Sequence, residues 1–161
     1  DICSVKIRPQ AVLERLLPKT CSILATHPMF GPNSTPNGIV GKQIMMHPTR
    51  IDQDSYEKIK LFISSSLGLK IIECTPDEHD KMMAYVQGLS HYIGRVMQEM
   101  GIPETELSTR AYDDLYDMRM IQGNDSWELF RSIMHENPHA AQVNQLFKQA
   151  MKELDEKLEK N

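Results

Sequence analysis

At Thr75-Pro76-Asp77-Glu78 the chain changes character, and the change divides its fold in two. Thr is a good N-cap, Pro fits the first helical turn, and acids belong beside the positive end of the helix dipole. From there Met82, Val86, Leu89, Ile93, Val96 and Met100 recur at three- and four-residue spacing, which predicts one long amphipathic helix ending at Gly101. A second helix is expected from Pro103 to Ile121, broken at Gly123-Asn124-Asp125. Ser126 caps a third, with Trp127, Phe130, Ile133 and Met134 on one face. Pro138 opens a fourth, striped by Val143, Leu146, Phe147, Met151, Leu154 and Leu158.

The first 75 residues read differently. Ser22-Ile23-Leu24-Ala25-Thr26 is a β-like run ending at His27-Pro28, and Lys42 to Met46 is another, closed by Pro48. Phe30 to Gly38, dense in Gly, Pro, Asn and Ser, is loop. Asp54 to Leu67 has helical spacing and stops at Gly68; Lys70 to Cys74 is a third strand. A helix between two β runs predicts an α/β piece, too short for a complete doubly wound sheet and best read as the last third of one. The expected domains are therefore residues 1–75 and 76–161.

Composition narrows the functions. The net charge of -4 gives no basic field for nucleic acid, and no Lys/Arg cluster marks a membrane surface. No apolar run reaches the roughly 18 residues of a membrane span. Asp1-Ile2-Cys3-Ser4-Val5-Lys6 lacks the basic start and apolar core of a signal peptide. Three cysteines, spread singly, favour free thiols in a reducing cytoplasm over a disulfide framework or a zinc site; no metal is expected. Eleven methionines suit flexible core filler or a subunit interface.

Three positions can carry chemistry. His27 stands at the C-terminal end of a strand, where open α/β sheets place ligands; it is either a general base or a loop histidine bonded to backbone. His91 shares a helical stripe with Gln87 and Arg95, with Ser90 close by; it is either a ligand-facing group or a buried, satisfied histidine in a helix pair. Gly88 and Gly94 on the same helix each cost roughly 1 kcal/mol relative to Ala, which implies close approach of a helix or a ligand. Arg119, among apolar neighbours, either clamps a carboxylate or pairs with Asp113, Asp114 or Asp117. Glu78, His79 and Asp80 could suggest a metal, but as adjacent helical residues they point in different directions. His135 and His139 read as surface residues. Ser4 and Lys6 follow Asp1 in what reads as a strand-to-helix turn. The eight glycines never form even Gly-x-Gly, so the chain has no phosphate-cradling turn.

Asp1-x-x-Ser4-Val5-Lys6 followed by Thr26-His27-Pro28-Met29-Phe30-Gly31-Pro32 resembles the prephenate/arogenate dehydrogenase family of tyrosine biosynthesis. Glu78-His79-Asp80-Lys81 and Gln87-x-x-Ser90-His91-x-x-Gly94-Arg95 continue the resemblance, and Asn124 to Phe130 resembles its plant-type arogenate branch. In that family an N-terminal Rossmann domain binds NAD or NADP and a C-terminal helical domain makes an intertwined dimer. The resemblance begins where the nicotinamide-side strand of that Rossmann domain ends. It therefore implies an α+β fragment, mostly α: the C-terminal part of a Rossmann-type α/β domain, then an all-helical dimerisation domain.

The resemblance further implies an oxidative decarboxylation, in which hydride passes from the ring carbinol to nicotinamide and the ring carboxylate leaves as CO2. His27 would receive the hydroxyl proton, supported by Ser4. Ser90, His91, Arg119 and Asp125 would bind substrate, although plant-like members have Lys near the position of Arg119. Ser4, Lys6 and Pro28 would lie on the cofactor side. An acid such as Asp125 would favour the ammonium of arogenate over the keto group of prephenate. Two rival expectations are a helical homodimeric interaction or regulatory module without catalysis, and a different NAD(P)-dependent dehydrogenase.

Overall fold

Ile23, Ala25 and His27 are buried and alternate with half-buried Leu24, Thr26 and Pro28, the period of two that makes a strand with one face on a core. The structure, a computed structural model, describes residues 1–31 and 35–160; Pro32, Asn33 and Ser34 of the expected loop lie outside the described residues. It is mostly helical with one three-stranded sheet, and it divides into two units, Asp1–Asp80 and Lys81–Asn161.

The first unit holds α1 (Ile7–Leu16), β1 (Ile23–Pro28), β2 (Gln43–Arg50), α2 (Gln53–Leu61), which runs on into a wide π turn at Phe62–Ser66, and β3 (Lys70–Glu73). The sheet order is β1-β2-β3. β1 and β2 pair antiparallel; β2 and β3 pair parallel, with α2 as the crossover. Asp52 caps α2 by accepting the Ser55 N–H at 2.9 Å. Ile44 and Met46 from β2 meet Tyr56, Ile63 and Leu69 in the core.

Contrary to expectation, β2 does not stop at Pro48. Pairing with β3 ends at Met46↔Glu73, and the β1 register slips between Ile23 and Ala25. Pro48 thus stands where neither neighbour needs the N–H it lacks.

The helical run from Pro76 to Met100 comprises α3 (Pro76–Met83), a π segment (Ala84–Leu89) and α4 (Ser90–Met100). The expected start is present as a reciprocal capping box: the Thr75 N–H donates to Glu78 Oε2 at 2.8 Å, and the Glu78 N–H donates to Thr75 Oγ1 at 3.3 Å. The expected stripe is not the buried one. Met82 and Val86 are 46% and 56% exposed, while Met83, Ala84, Gly88, His91 and Gly94 are buried. The π turn inserts extra residues and shifts the phase of the helix, which a constant 3.6-residue period cannot register.

α5 spans Arg110–Gln122 rather than starting at Pro103. Thr105 Oγ1 accepts the Leu107 N–H at 3.2 Å, and Thr109 Oγ1 caps α5 by accepting from Tyr112 at 3.3 Å. These local bonds hold 103–109 out of the helix. α6 (Trp127–Glu136) is capped as expected by Ser126, which accepts from the Leu129 N–H at 3.1 Å. α7 (Ala140–Glu159) buries Ala140 and Val143. No described helix is long and apolar enough to cross a membrane.

The glycines of the long helical run answer to other helices. A Cβ on Gly88 would touch the Ala140 Cβ of α7 at 3.8 Å. A Cβ on Gly94 would lie 2.9 Å from the Gln122 Cβ and 3.0 Å from the Met118 carbonyl oxygen of α5. Gly94→Ala therefore destabilises by about 1–2 kcal/mol, the overpacking cost exceeding the roughly 1 kcal/mol gain in helix propensity. Urea unfolding of the variant against the parent measures it; a more stable variant would show that α4 and α5 part freely.

Candidate functional site

His27 enters the buried face of β1 by alternation, at the strand's C-terminal end. It is 3% exposed, and its Nδ1 lies 2.8 Å from His79 Nε2 on α3. The two rings meet edge to face, 5.1 Å between centroids. His79 Nδ1 lies 2.7 Å from Asp80 Oδ1. Asp80 accepts the backbone N–H groups of Lys6 at 2.8 Å and Ile7 at 2.9 Å, at the start of α1. A continuous chain of hydrogen bonds thus runs from β1 through α3 to the first turn of α1, with His79 and Asp80 both fully buried.

The sequence reading weighed His79 and Asp80 as metal ligands, set them aside, and gave them no part at His27. The available signal was a His-Asp pair in the first turns of a capped helix, where burial of two ionisable neighbours demands partners. Neither alternative weighed for His27 anticipated its actual partner, which is a second histidine. Among the described residues no group of three or more His, Cys, Asp or Glu side chains is placed to hold a metal ion.

Lys6 is also fully buried; its Nζ donates to Asp1 Oδ1 and, at 2.6 Å, to the Thr26 carbonyl. Its ammonium thus ties the start of the unit to β1 and has no open face for a cofactor phosphate. Ser4 and Pro28 are half-buried. The described residues therefore do not fit a dinucleotide by themselves: Gly31 is the nearest glycine in sequence to Ser4 and Pro28, and no Gly-x-Gly turn is present to bring backbone N–H groups to a pyrophosphate.

Burial pushes the His27 imidazolium down to about 4, helped by His79 and Lys6 and opposed by Asp80. Its ring is neutral at physiological pH, as a proton acceptor must be. Because the folded value lies below the unfolded one, His27 adds stability above pH 6.5 that is lost as pH falls through about 4. The expected loss is about 3 kcal/mol. Urea unfolding of the full-length protein across that window, compared with His27→Asn, isolates the contribution; parallel pH profiles would refute it.

In the second unit Ser90, His91 and Asp125 come together. His91 is buried, and its Nδ1 lies 3.5 Å from Asp125 Oδ2 without a hydrogen bond. Burial lowers the His91 pKa; Asp125 opposes the shift and Arg95 adds to it. Gln122 donates to Ser90 Oγ at 3.3 Å, and Arg95 donates to the Asp125 carbonyl. The Arg95 guanidinium lies 5.5 Å from the ring centres of Trp127 and Phe130. Of these groups Arg95, Trp127 and Phe130 line a cavity of about 480 Å³, together with Tyr92, Val96, Glu99 and Met100; Ser90, His91 and Asp125 are not part of its lining.

Arg119 stands apart from them, bonding α4 at Gln98, about 10 Å of helix rise beyond His91. It donates to Gln98 Oε1 at 3.0 Å and to the Ile102 carbonyl at 2.7 Å. The alternative pairing with Asp113, Asp114 or Asp117 is absent from its bonds; neutral oxygens hold Nε and one terminal nitrogen.

Residues 96–161 match the family model described as TYRAAT1-like, C-terminal domain. Arogenate dehydrogenase 2, chloroplastic, of Arabidopsis thaliana is 34% identical over 96% of this chain and 45% of its own length. Arogenate dehydrogenase 1, chloroplastic, of the same plant is 30% identical over 98% of this chain and 25% of its own length. The chain therefore spans less than half of either relative. Among solved structures, Synechocystis arogenate dehydrogenase superposes with a TM-score of 0.70 at 19% identity, over 99% of this chain and 60% of that one. Prephenate dehydrogenase from A. aeolicus, in complex with hydroxyphenyl propionate and NAD+, gives 0.71 at 22%, over 95% of this chain and 56% of that one.

Proposed function

We propose that this chain, a relative of the arogenate and prephenate dehydrogenases over nearly its whole length, carries the proton-accepting histidine and the helical substrate-binding and dimerisation domain of such an enzyme. The reaction is the NAD(P)-dependent oxidative decarboxylation of arogenate or prephenate. The observation that carries this reading is His27: a buried, neutral imidazole at a strand end, held through one ring nitrogen by the His79-Asp80 chain.

The chemistry asks three things. NAD or NADP, when bound on the side of Ser4 and Pro28, would supply the acceptor for a hydride from the ring carbinol. His27 takes the hydroxyl proton. Breakage of the bond to the ring carboxylate releases CO2, and its electron pair enters the ring, which becomes aromatic. Ser4 supports His27, and Ser4 and Pro28 flank the cofactor. Ser90 and His91 bind the substrate. Asp125, whose carboxylate is partly exposed, favours a substrate bearing an ammonium and so places arogenate ahead of prephenate. Arg119 keeps one guanidinium nitrogen for a carboxylate while the others fix it to α4.

The test is to assay the full-length protein on arogenate and prephenate with each nicotinamide cofactor, following reduced nicotinamide and released CO2 together. Oxidation of neither substrate would favour a module without catalysis; oxidation without CO2 would favour a different dehydrogenase.

The reading includes a homodimer. Met82 and Val86 on the long helical run and Met151, Leu154 and Leu158 on α7 are exposed apolar side chains at helical spacing. Sedimentation showing a monomer at tens of micromolar, on the order expected for weak association, would refute it.

A further inference from the structure

We propose that His79 is the positioning residue that fixes the tautomer of His27, holding its proton on Nδ1 and leaving a bare Nε2 as the proton acceptor. The inference rests on the proposed role of His27 and adds the residue that makes the role possible.

Asp80 accepts two backbone N–H groups, from Lys6 and Ile7. A carboxylate accepts and does not donate, so the 2.7 Å contact to His79 Nδ1 requires the proton on that nitrogen. A neutral imidazole has one N–H, which leaves His79 Nε2 with a lone pair. The 2.8 Å contact to His27 Nδ1 then requires the proton on His27, and a neutral His27 has none left for Nε2. Imidazole side chains in water favour the opposite arrangement, with the proton on Nε2. Such a ring offers a hydroxyl a donor where the reaction needs an acceptor. When His27 takes a proton, its new charge is stabilised through the His79 ring by the Asp80 carboxylate with no further transfer. The logic is that of a base oriented by a third group.

His79→Phe removes the acceptor and keeps a ring of similar shape. His79→Gln restores it, because the amide oxygen can accept from His27 while its NH2 donates to Asp80. The experiment uses full-length protein labelled with 15N-histidine, its ring nitrogens read by two-bond proton–nitrogen correlation. In the parent, His27 Nδ1 is expected in the protonated range and Nε2 in the unprotonated range. In His79→Phe the His27 pattern reverses, and kcat falls by at least about tenfold with KM little changed. His79→Gln returns both toward the parent.

A parent spectrum with the His27 proton on Nε2 overturns the proposal. So does a folded His79→Phe protein with unchanged tautomer and kcat. If His79→Phe does not fold, the parent spectrum and the Gln variant decide it. Should His27→Asn keep normal turnover, the proposed base has failed, and a parent spectrum with the proton on Nδ1 would still show that the relay orders the ring.

Discussion

His27→Asn in the full-length protein is expected to lower turnover by about 10²- to 10⁴-fold, the span that a positioned general base contributes, while the fold stays intact. The asparagine amide can still donate toward His79 Nε2, so the buried hydrogen-bond chain keeps its last donor. What it cannot supply is a second nitrogen with a lone pair. Steady-state kinetics on whichever substrate the parent oxidises, with circular dichroism as the check on folding, decides the matter. Normal turnover in a folded variant would remove His27 from the reaction.

The second large effect is on stability. Asp80→Ala is expected to cost about 4 kcal/mol, because one truncation strands two buried donors, the Lys6 N–H and His79 Nδ1, and the half-buried Ile7 N–H. α1 has no cap of its own; the side chain of its N-cap residue, Lys6, makes no capping bond and is directed to Asp1 and Thr26 instead. Asp80 also sets a negative charge against the positive end of the α1 dipole. Asp80→Asn keeps the shape and one acceptor oxygen, so it should lie between the parent and the alanine variant. Urea unfolding measures all three; a cost below about 1 kcal/mol for the alanine variant, the worth of one ordinary hydrogen bond, would show that these donors find other partners.

Thr75, Ser126 and the strand bearing His27 could be read directly, because caps and alternation are local signals. Gly94 could be read as a close approach; only the structure shows that the neighbour is α5. Thr109 displaced the start of α5 by a cap that competes with an otherwise helical stretch. The stripe through Met82 and Val86 failed for a different reason: the π segment changes the period halfway along. His79 and Asp80 were discounted because neighbours on a helix diverge, which is a sound objection to a shared metal. The same divergence lets one side chain reach β1 while the next reaches α1. Their partners lie 52, 74 and 73 residues away in sequence, beyond any local pattern.

That separation bears on how the chain is made. Synthesis runs from the N- toward the C-terminus, so the residues of α1 emerge long before the side chain that closes their helix. Until residue 80 has left the ribosome, the first turn of α1 lacks the carboxylate that caps it, and no α1 side chain is buried. Short helices without tertiary support are marginal in water. The α1 segment therefore waits for its cap through the synthesis of the whole sheet. The hydrogen bonds that order His27 and those that finish α1 then form in one late event, when α3 arrives.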